Sequence, residues 1–553
     1  MPSDLFKKGL NILLRRQTNI LSAALVLMLT VVFSQILGLI RQRMLVGIYG
    51  PSNTLGVYLA SSRLPDLLFQ VIIAGAISSS FIPIFTDFLA QKKEEEGFKF
   101  ASSLMIIGLL IFLFISIILF IFSGFFSHLV APGFSASDLI LMSNLMRIII
   151  LGEIIFMLAS FFSAVLQCYN HFFITGIAAA SYNLGIILGI IFLSKSFGIY
   201  APAIGVIIGS FLFAVLQIPF LKISGFKLRF NIDIKNFGLM QIFHLMWPRT
   251  ISLATFQIGS LLTVSLISFL HDPGRSYVIF DYAQTLAFAP VGLIGQSLSQ
   301  AAFPVLSRER AKLSEFKETF ATSFTQMLYL ILPLSVVFIV LRIPLVRLIY
   351  GASQFDWAAT VLTGRTLAIF SISLFAQSLI YLVSKAFYAL HDTKTPLIVG
   401  IISTFFMLIG SFVSIFYFNR DIQTIALFYT LSSFINFFVL LVLLDRKVGG
   451  FNNFFFIKNS WKIFLSAFAL GIALYLPIKL LDQLVFDTTK TINLLMLTGI
   501  SSMSGFLIYM FLTWFLNVKE ASTFILLFKK IGSSREILSK TDAVADPIRV
   551  KVN

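Results

Sequence analysis

Charge is what this sequence has least of. Only 12% of its 553 residues are Asp, Glu, Lys or Arg, about half the roughly 25% of a soluble domain, and the mean hydropathy is +0.95. So few charges cannot cover a water-exposed globule, which excludes a soluble fold and makes the chain an all-α integral membrane protein. Cysteine is almost missing as well: the single thiol, Cys168, excludes an intramolecular disulfide and a cysteine-held metal cluster. Five histidines occur without HxxxH or HExxH spacing, so no metal is expected. The GxxxxGK[ST] loop of a built-in ATPase is absent, and so are the paired loop carboxylates of a lipid-sugar transferase. The chain therefore reads as a transporter rather than an enzyme, with no cofactor.

What is present is apolar: 58% of residues are hydrophobic, and the 63 Phe are assigned to packing and lipid contact. The net charge of +17 is explained by Lys and Arg in loops beside anionic headgroups, not by nucleic acid. Lys7, Lys8, Arg15 and Arg16 precede an apolar run too long for a signal-peptide core, so no cleavable signal is expected.

With roughly 20 apolar residues needed per crossing, about fourteen spans are expected. They centre near 20–40, 56–86, 101–125, 139–167, 173–194, 200–221, 238–270, 277–303, 317–341, 357–390, 396–418, 423–444, 461–481 and 494–516. Basic charge alternates between the connections. Lys92-Lys93, the Lys222 to Lys235 loop, Arg308 to Lys312, Lys394, Arg446 to Lys458 and both termini share one side, which the positive-inside rule places in the cytoplasm. A surface helix around Phe524 to Lys530 and a polar end are expected after Asn517.

Two stretches look alike. Ser163 to Gly176 and Ser384 to Pro396 each end a helix in an aromatic, make a short His-containing turn (His171, His391) and enter another apolar helix. They lie six spans apart, so the halves share orientation: a parallel repeat about an axis along the membrane normal. The expected organisation is a six-span lobe over 1–222, a second over 223–445, two extra spans over 446–516 and a tail over 517–553.

Polar groups at membrane depth are costly and usually face the bundle interior. They concentrate between Ser34 and Pro83. Arg41 is read as facing a cavity while Arg43 reaches the outer headgroups. Arg63 and Asp66 flank Pro65 and can touch, either as a local ion pair that makes the helix tolerable in lipid or as a gating or substrate contact. Pro248-Arg249-Thr250 places a charge beside a helix break, suited to a phosphate or to snorkelling. Gln35, Gln70 and Gln284 are further cavity candidates, and Glu153 and Arg365 are weaker ones. Pro65, Gly75, Pro83, Pro248, Pro290 and Gly292 are candidate hinges.

The chain resembles the MurJ/MviN family of lipid II flippases. The resemblance is carried by Leu37-Gly38-Leu-Ile-Arg41, Arg63-Leu-Pro65-Asp-Leu-Leu, Ser80-Phe81-Ile-Pro83, Met246-Trp-Pro248-Arg249, Phe303-Pro304-Val-Leu306-Ser307, Tyr350-Gly-Ala-Ser-Gln-Phe355 and, above all, Ala386-Phe-Tyr-Ala-Leu-His-Asp392-Thr-Lys-Thr-Pro396. It implies a multidrug/oligosaccharidyl-lipid/polysaccharide exporter fold in a bacterial inner membrane. It also implies alternating-access transfer of an undecaprenyl-diphosphate-linked peptidoglycan precursor, with membrane lipids and peptidoglycan-synthesis proteins as partners. Arg41 would be one basic residue of the diphosphate cavity, and the last two spans would take the lipid tail. The departures lie in that cavity. Gln35, Phe69 and Thr285 stand where the family has Arg, Gly56 where it has Asp and Ala74 where it has Glu. Thr263 and Met407 stand where some members have the Asp and Asn of a cation site. Weaker diphosphate binding, another lipid-linked saccharide, a less charged amphiphile or a transport-inactive envelope-synthesis scaffold are the alternatives these departures leave open.

Overall fold

In lipid an apolar backbone has no water to bond, so a long apolar run satisfies its N–H and C=O groups within itself as an α-helix. The computed structural model describes residues 20–71, 81–229, 257–451, 453–484 and 490–521, and all regular structure among them is helical. In chain order the helices are α1 (Ile20–Tyr49), α2 (Asn53–Phe69), α3 (Ile82–Ala90), α4 (Glu94–Ile121), α5 (Ser123–Val130), α6 (Ala136–Cys168), α7 (Phe172–Phe197) and α8 (Tyr200–Ile223). There follow α9 (Gln257–Ile267), α10 (Pro273–Pro290), a π-helical segment (Val291–Gln296), α11 (Ser297–Glu309), α12 (Leu313–Val340) and α13 (Arg342–Tyr350). The remainder are α14 (Trp357–Ile372), α15 (Leu374–Ala389), α16 (Lys394–Phe416), α17 (Ile422–Lys447), α18 (Asn453–Leu484) and α19 (Thr491–Phe515).

Among the described residues eleven helices are long and apolar enough to cross a membrane, or twelve if α14 and α15, bent by 40°, make one span. The fourteen expected runs exceed this by two, the second and seventh, and each of those passes partly through residues outside the described set. The tail helix expected around Phe524 to Lys530 also lies outside it.

Two serines start their helices by side-chain capping: Ser52 Oγ accepts from Leu55 N at 3.2 Å and Ser135 Oγ from Asp138 N at 3.2 Å. Close helix pairs depend on glycine. Gly185 lies against Gly209, and Gly189 against Gly205, so that α7 and α8 approach backbone to backbone.

The two His-containing turns close in the same way. After α6, Asn170 takes a left-handed φ of 61° and His171 N reaches back to Leu166 O at 2.9 Å. After α15, His391 takes a φ of 59° and Asp392 N reaches Phe387 O at 2.9 Å. These are matching helix C-terminal turns. The geometry pairs Asn170 with His391, so the two histidines are one position out of register.

The chain forms two compact units. One comprises 1–283, 349–366 and 404–428, the other 284–348, 367–403 and 429–553. Their boundaries cut through α10, α13, α14, α16 and α17, whereas the lobe ranges expected from the sequence follow chain order.

In the second unit the turn before α16 is held by charge. Asp392 accepts from Thr395 N at 3.0 Å, from Thr395 Oγ1 at 2.8 Å and from Lys447 Nζ at 2.5 Å. Burial alone would raise this carboxyl, but the Lys447 ammonium and the two Thr395 donors outweigh it and bring Asp392 down to about 2. Arg310 Nη1 meets the imidazole of the neighbouring His391, and Tyr509 of α19 donates to Tyr329 O of α12 at 2.7 Å.

Candidate functional site

The polar residues of α1 and α2 gather in the first unit, together with residues of α10 and α13. On α1, Gln42 sits between two tyrosines: Tyr282 Oη donates to its carbonyl at 3.1 Å, and Tyr350 Oη to its Oε1 at 3.2 Å. The two rings pack with centroids 4.8 Å apart. Arg43 Nη1 donates to Ile349 O at 3.4 Å, and Ser353 Oγ donates to Gly47 O at 3.2 Å. The helix starts also interlock, with Gly274 N donating to Asn53 Oδ1 at 3.0 Å.

Arg63 makes an ion pair in this group. Its Nε donates to Tyr277 Oη at 2.5 Å, its Nη2 pairs with Asp281 Oδ1, and its guanidinium lies 5.7 Å from the Tyr277 ring centroid. The Arg63 side chain is 30% exposed and that of Asp281 only 8%. This corrects the expectation that Arg63 and Asp66 pair along their own helix: the ion pair goes instead to a carboxylate 218 positions away. Tyr277 and Asp281 together receive two donors of the Arg63 fork. Near the start of α14 a second ion pair joins Arg275 Nη2 to both carboxylate oxygens of Asp356, at 2.9 and 2.8 Å. Burial would raise the Asp356 carboxyl, but Arg275 and the Ala359 N–H hold it below its ordinary value.

Arg41 differs from Arg63. It is half-buried, its Nε has no hydrogen-bond partner among the described residues, and it lies within Coulombic reach of Tyr58, Asp66 and Tyr182. A buried N–H without an acceptor is costly, so Arg41 holds a donor ready for an anion. Arg63, with two acceptors already in place, does not.

The other expected residues divide plainly. Gln70 is exposed at the end of α2 and accepts from Gln257 Nε2. Gln35 is exposed on α1, and Gln284 is half-buried in the second unit. Pro65 is buried inside α2, which continues unbroken to Phe69. Pro83 lies in the first turn of α3, and Pro290 and Gly292 meet at the start of the π-helical segment. Arg249, Pro248 and Gly75 lie outside the described residues. Arg365 is exposed on α14. Glu153 of α6, in contrast, is 3% exposed. Sequence reasoning missed Asp281 and Tyr277 as partners of Arg63; the one available signal was an aspartate inside an apolar run.

At two of the departures packing stands in place of charge. A Cβ on Gly56 would overlap the Gly274 carbonyl, and Phe69 packs edge-on against Phe156 at 4.9 Å. Thr263 Oγ1 bonds within its own helix to Gly259 O at 2.9 Å, and Met407 is buried.

A family model described as lipid II flippase MurJ matches residues 45–497. The probable lipid II flippase MurJ of Buchnera aphidicola subsp. Schizaphis graminum is 29% identical over 523 residues, 93% of this chain and 100% of its own length. That of Thermotoga maritima is 28% identical over 365 residues, 66% of this chain and 73% of its own. Among solved structures, a lipid II flippase MurJ in an inward closed conformation aligns with a TM-score of 0.73 at 25% identity, covering 89% of this chain and 99% of the other. An inward-facing multidrug resistance MATE family transporter of the MOP superfamily shares the fold, with a TM-score of 0.62 at 13% identity over 75% of this chain and 94% of its own.

Proposed function

The chain belongs to the MurJ family of lipid II flippases, and from that premise we propose that it carries an undecaprenyl-diphosphate-linked peptidoglycan precursor from the inner to the outer leaflet of a bacterial inner membrane by alternating access. Both termini are cytoplasmic in this reading. Residues 1–222 and 223–445 act as the two lobes, and 446–516 hold the lipid tail. The observation that carries the reading is the extent of the family match, residues 45–497.

The physical task is to move a diphosphate through a medium where it loses its water. Charge-assisted hydrogen bonds from arginine replace that hydration, and Arg41, with its buried and unpartnered Nε, is suited to supply them. Few other cations among the described residues support it. Arg63 is committed to Asp281, and Gln35, Phe69 and Thr285 carry no charge. Diphosphate binding is therefore weaker than the family pattern implies, and a less charged lipid-linked saccharide is the second reading these same observations favour.

Rescue of cells depleted of their own lipid II flippase tests this. The chain is expected to restore growth, Arg41→Ala to abolish rescue, and Arg41→Lys, which keeps the charge but not the fork, to restore it in part. Full rescue by Arg41→Ala overturns the role of Arg41. Rescue that survives every substitution around Arg41 but is lost on deleting the residues after Asn517 replaces transport with a scaffold role.

A further inference from the structure

Two carboxylates in the interior of the first unit take no part in the ion pairs described above. We propose that Asp66 of α2 and Glu153 of α6 together bind a proton, and that Arg41 is shared between this pair and the anionic part of a transported lipid. The second half of the proposal rests on the transport reading; the first does not.

The geometry comes from helix packing. Phe69, a turn beyond Asp66, meets Phe156, a turn beyond Glu153, at 4.9 Å, and Phe156 meets Tyr182 of α7 at 4.7 Å. The two carboxylates thus occupy matching turns of adjacent helices, within Coulombic reach of one another. Glu153 is 97% buried and makes no hydrogen bond or ion pair among the described residues. Asp66 is half-buried, with the Ser62 hydroxyl bonded to it and Arg63 and then Arg41 in reach, but Arg63 is held by Asp281 and Tyr277.

Among the described residues the remaining surroundings supply no further cation. Beside the carboxylates stand Tyr58 and Tyr182, and Asp281 adds negative charge. On α6 itself Arg147 is turned away to Phe120 O at 3.2 Å. The helices packed around α6 carry their other titratable groups near their ends, at Asp87 on α3, Glu94, Glu95, Glu96 and Lys99 on α4, His128 on α5, Lys195 on α7 and Tyr200 and Lys222 on α8.

Two adjacent carboxylates in a poorly polar interior do not both ionise unless a cation joins them. Here, among the described residues, the candidates are a proton from water and the guanidinium of Arg41. They are alternatives: when Arg41 turns to Asp66 the pair sheds its proton to water, and when an anion takes Arg41 the pair takes a proton up. Anion binding and proton binding then favour one another by linkage.

The test has two arms on the full chain in lipid nanodiscs. Infrared difference spectra between acidic and alkaline buffers read protonated carboxyl directly. The expected result is a carboxyl band in the parent chain that disappears in Glu153→Gln and shifts in Asp66→Asn. A band unchanged in both variants, or none in the parent, overturns the proton site. The second arm measures affinity for farnesyl diphosphate against pH. One linked proton weakens binding by up to about tenfold per unit of rising pH, and that slope is expected to flatten in Glu153→Gln, the probe's own titration being common to both proteins. Equal slopes overturn the sharing of Arg41. Failure of the probe to bind either protein counts against the lipid-diphosphate reading, while the infrared arm still decides the proton site.

Discussion

Asp281 is tolerated where it is only because Arg63 reaches it. Arg63→Ala leaves a carboxylate 8% exposed without its cation, and breaking a buried pair from one side costs roughly 3–5 kcal/mol. Because the Arg63 side chain retains 30% exposure, the lower end is expected, read as a drop in thermal midpoint in detergent. Adding Asp281→Asn is expected to recover much of the loss, since no charge is then stranded; a double variant as unstable as Arg63→Ala would show that the pair is not the cause. Asp392 gives a pH test of the same kind. Its carboxyl lies near 2 when folded and near 4 in an unfolded chain, so its stabilisation is full above about pH 4 and is lost as pH falls toward about 2. Thermal midpoints followed down through that window should fall less steeply in Asp392→Asn than in the parent; parallel curves would remove Lys447 and Thr395 from the account. At this scale the sequence was only half readable. Arg63 and Glu153 stand out as charges in apolar runs, but pairing across 218 positions depends on which helices meet, and local spacing points Arg63 to Asp66 instead.

Among elements, the approach of α2 to the start of α10 decides which lost charges can be restored. At Gly56 any side chain overlaps the Gly274 carbonyl, and a Cβ there separates the two helices. Gly56→Asp is therefore expected to lower the thermal midpoint without strengthening binding of a lipid diphosphate. Gln35→Arg, at an exposed position on α1, is expected to strengthen it severalfold with stability unchanged. Equal tolerance of the two substitutions would show that the glycine contact is not needed. The helices themselves were legible because about 20 apolar residues in lipid have few alternatives to an α-helix. Their breaks were less so. Pro65 lies inside α2, which runs through it to Phe69, and Pro290 opens a π-helical segment whose i→i+5 bonding has no distinct sequence signature.

For the whole molecule, alternating access demands that contacts near the end of α1 be temporary. In the first unit Gly47 lies so close to Ala352 that an added Cβ would stand 3.0 Å from the alanine methyl. Residue 47 falls in the proposed N-terminal lobe and residue 352 in the proposed C-terminal lobe, so this contact separates whenever the lobes part on that side. A disulfide needs Cβ atoms about 3.5–4.5 Å apart, a few tenths of an ångström of relaxation from this spacing. With Cys168, the single native cysteine, changed to Ser, Gly47→Cys combined with Ala352→Cys is expected to crosslink on mild oxidation. Rescue of flippase-depleted cells should then be lost while the bond is formed and return when reductant is added, with either single variant insensitive to both treatments. A crosslink formed to completion that leaves rescue intact would mean that this contact persists through the cycle, and that movement of the two lobes takes place elsewhere or not at all.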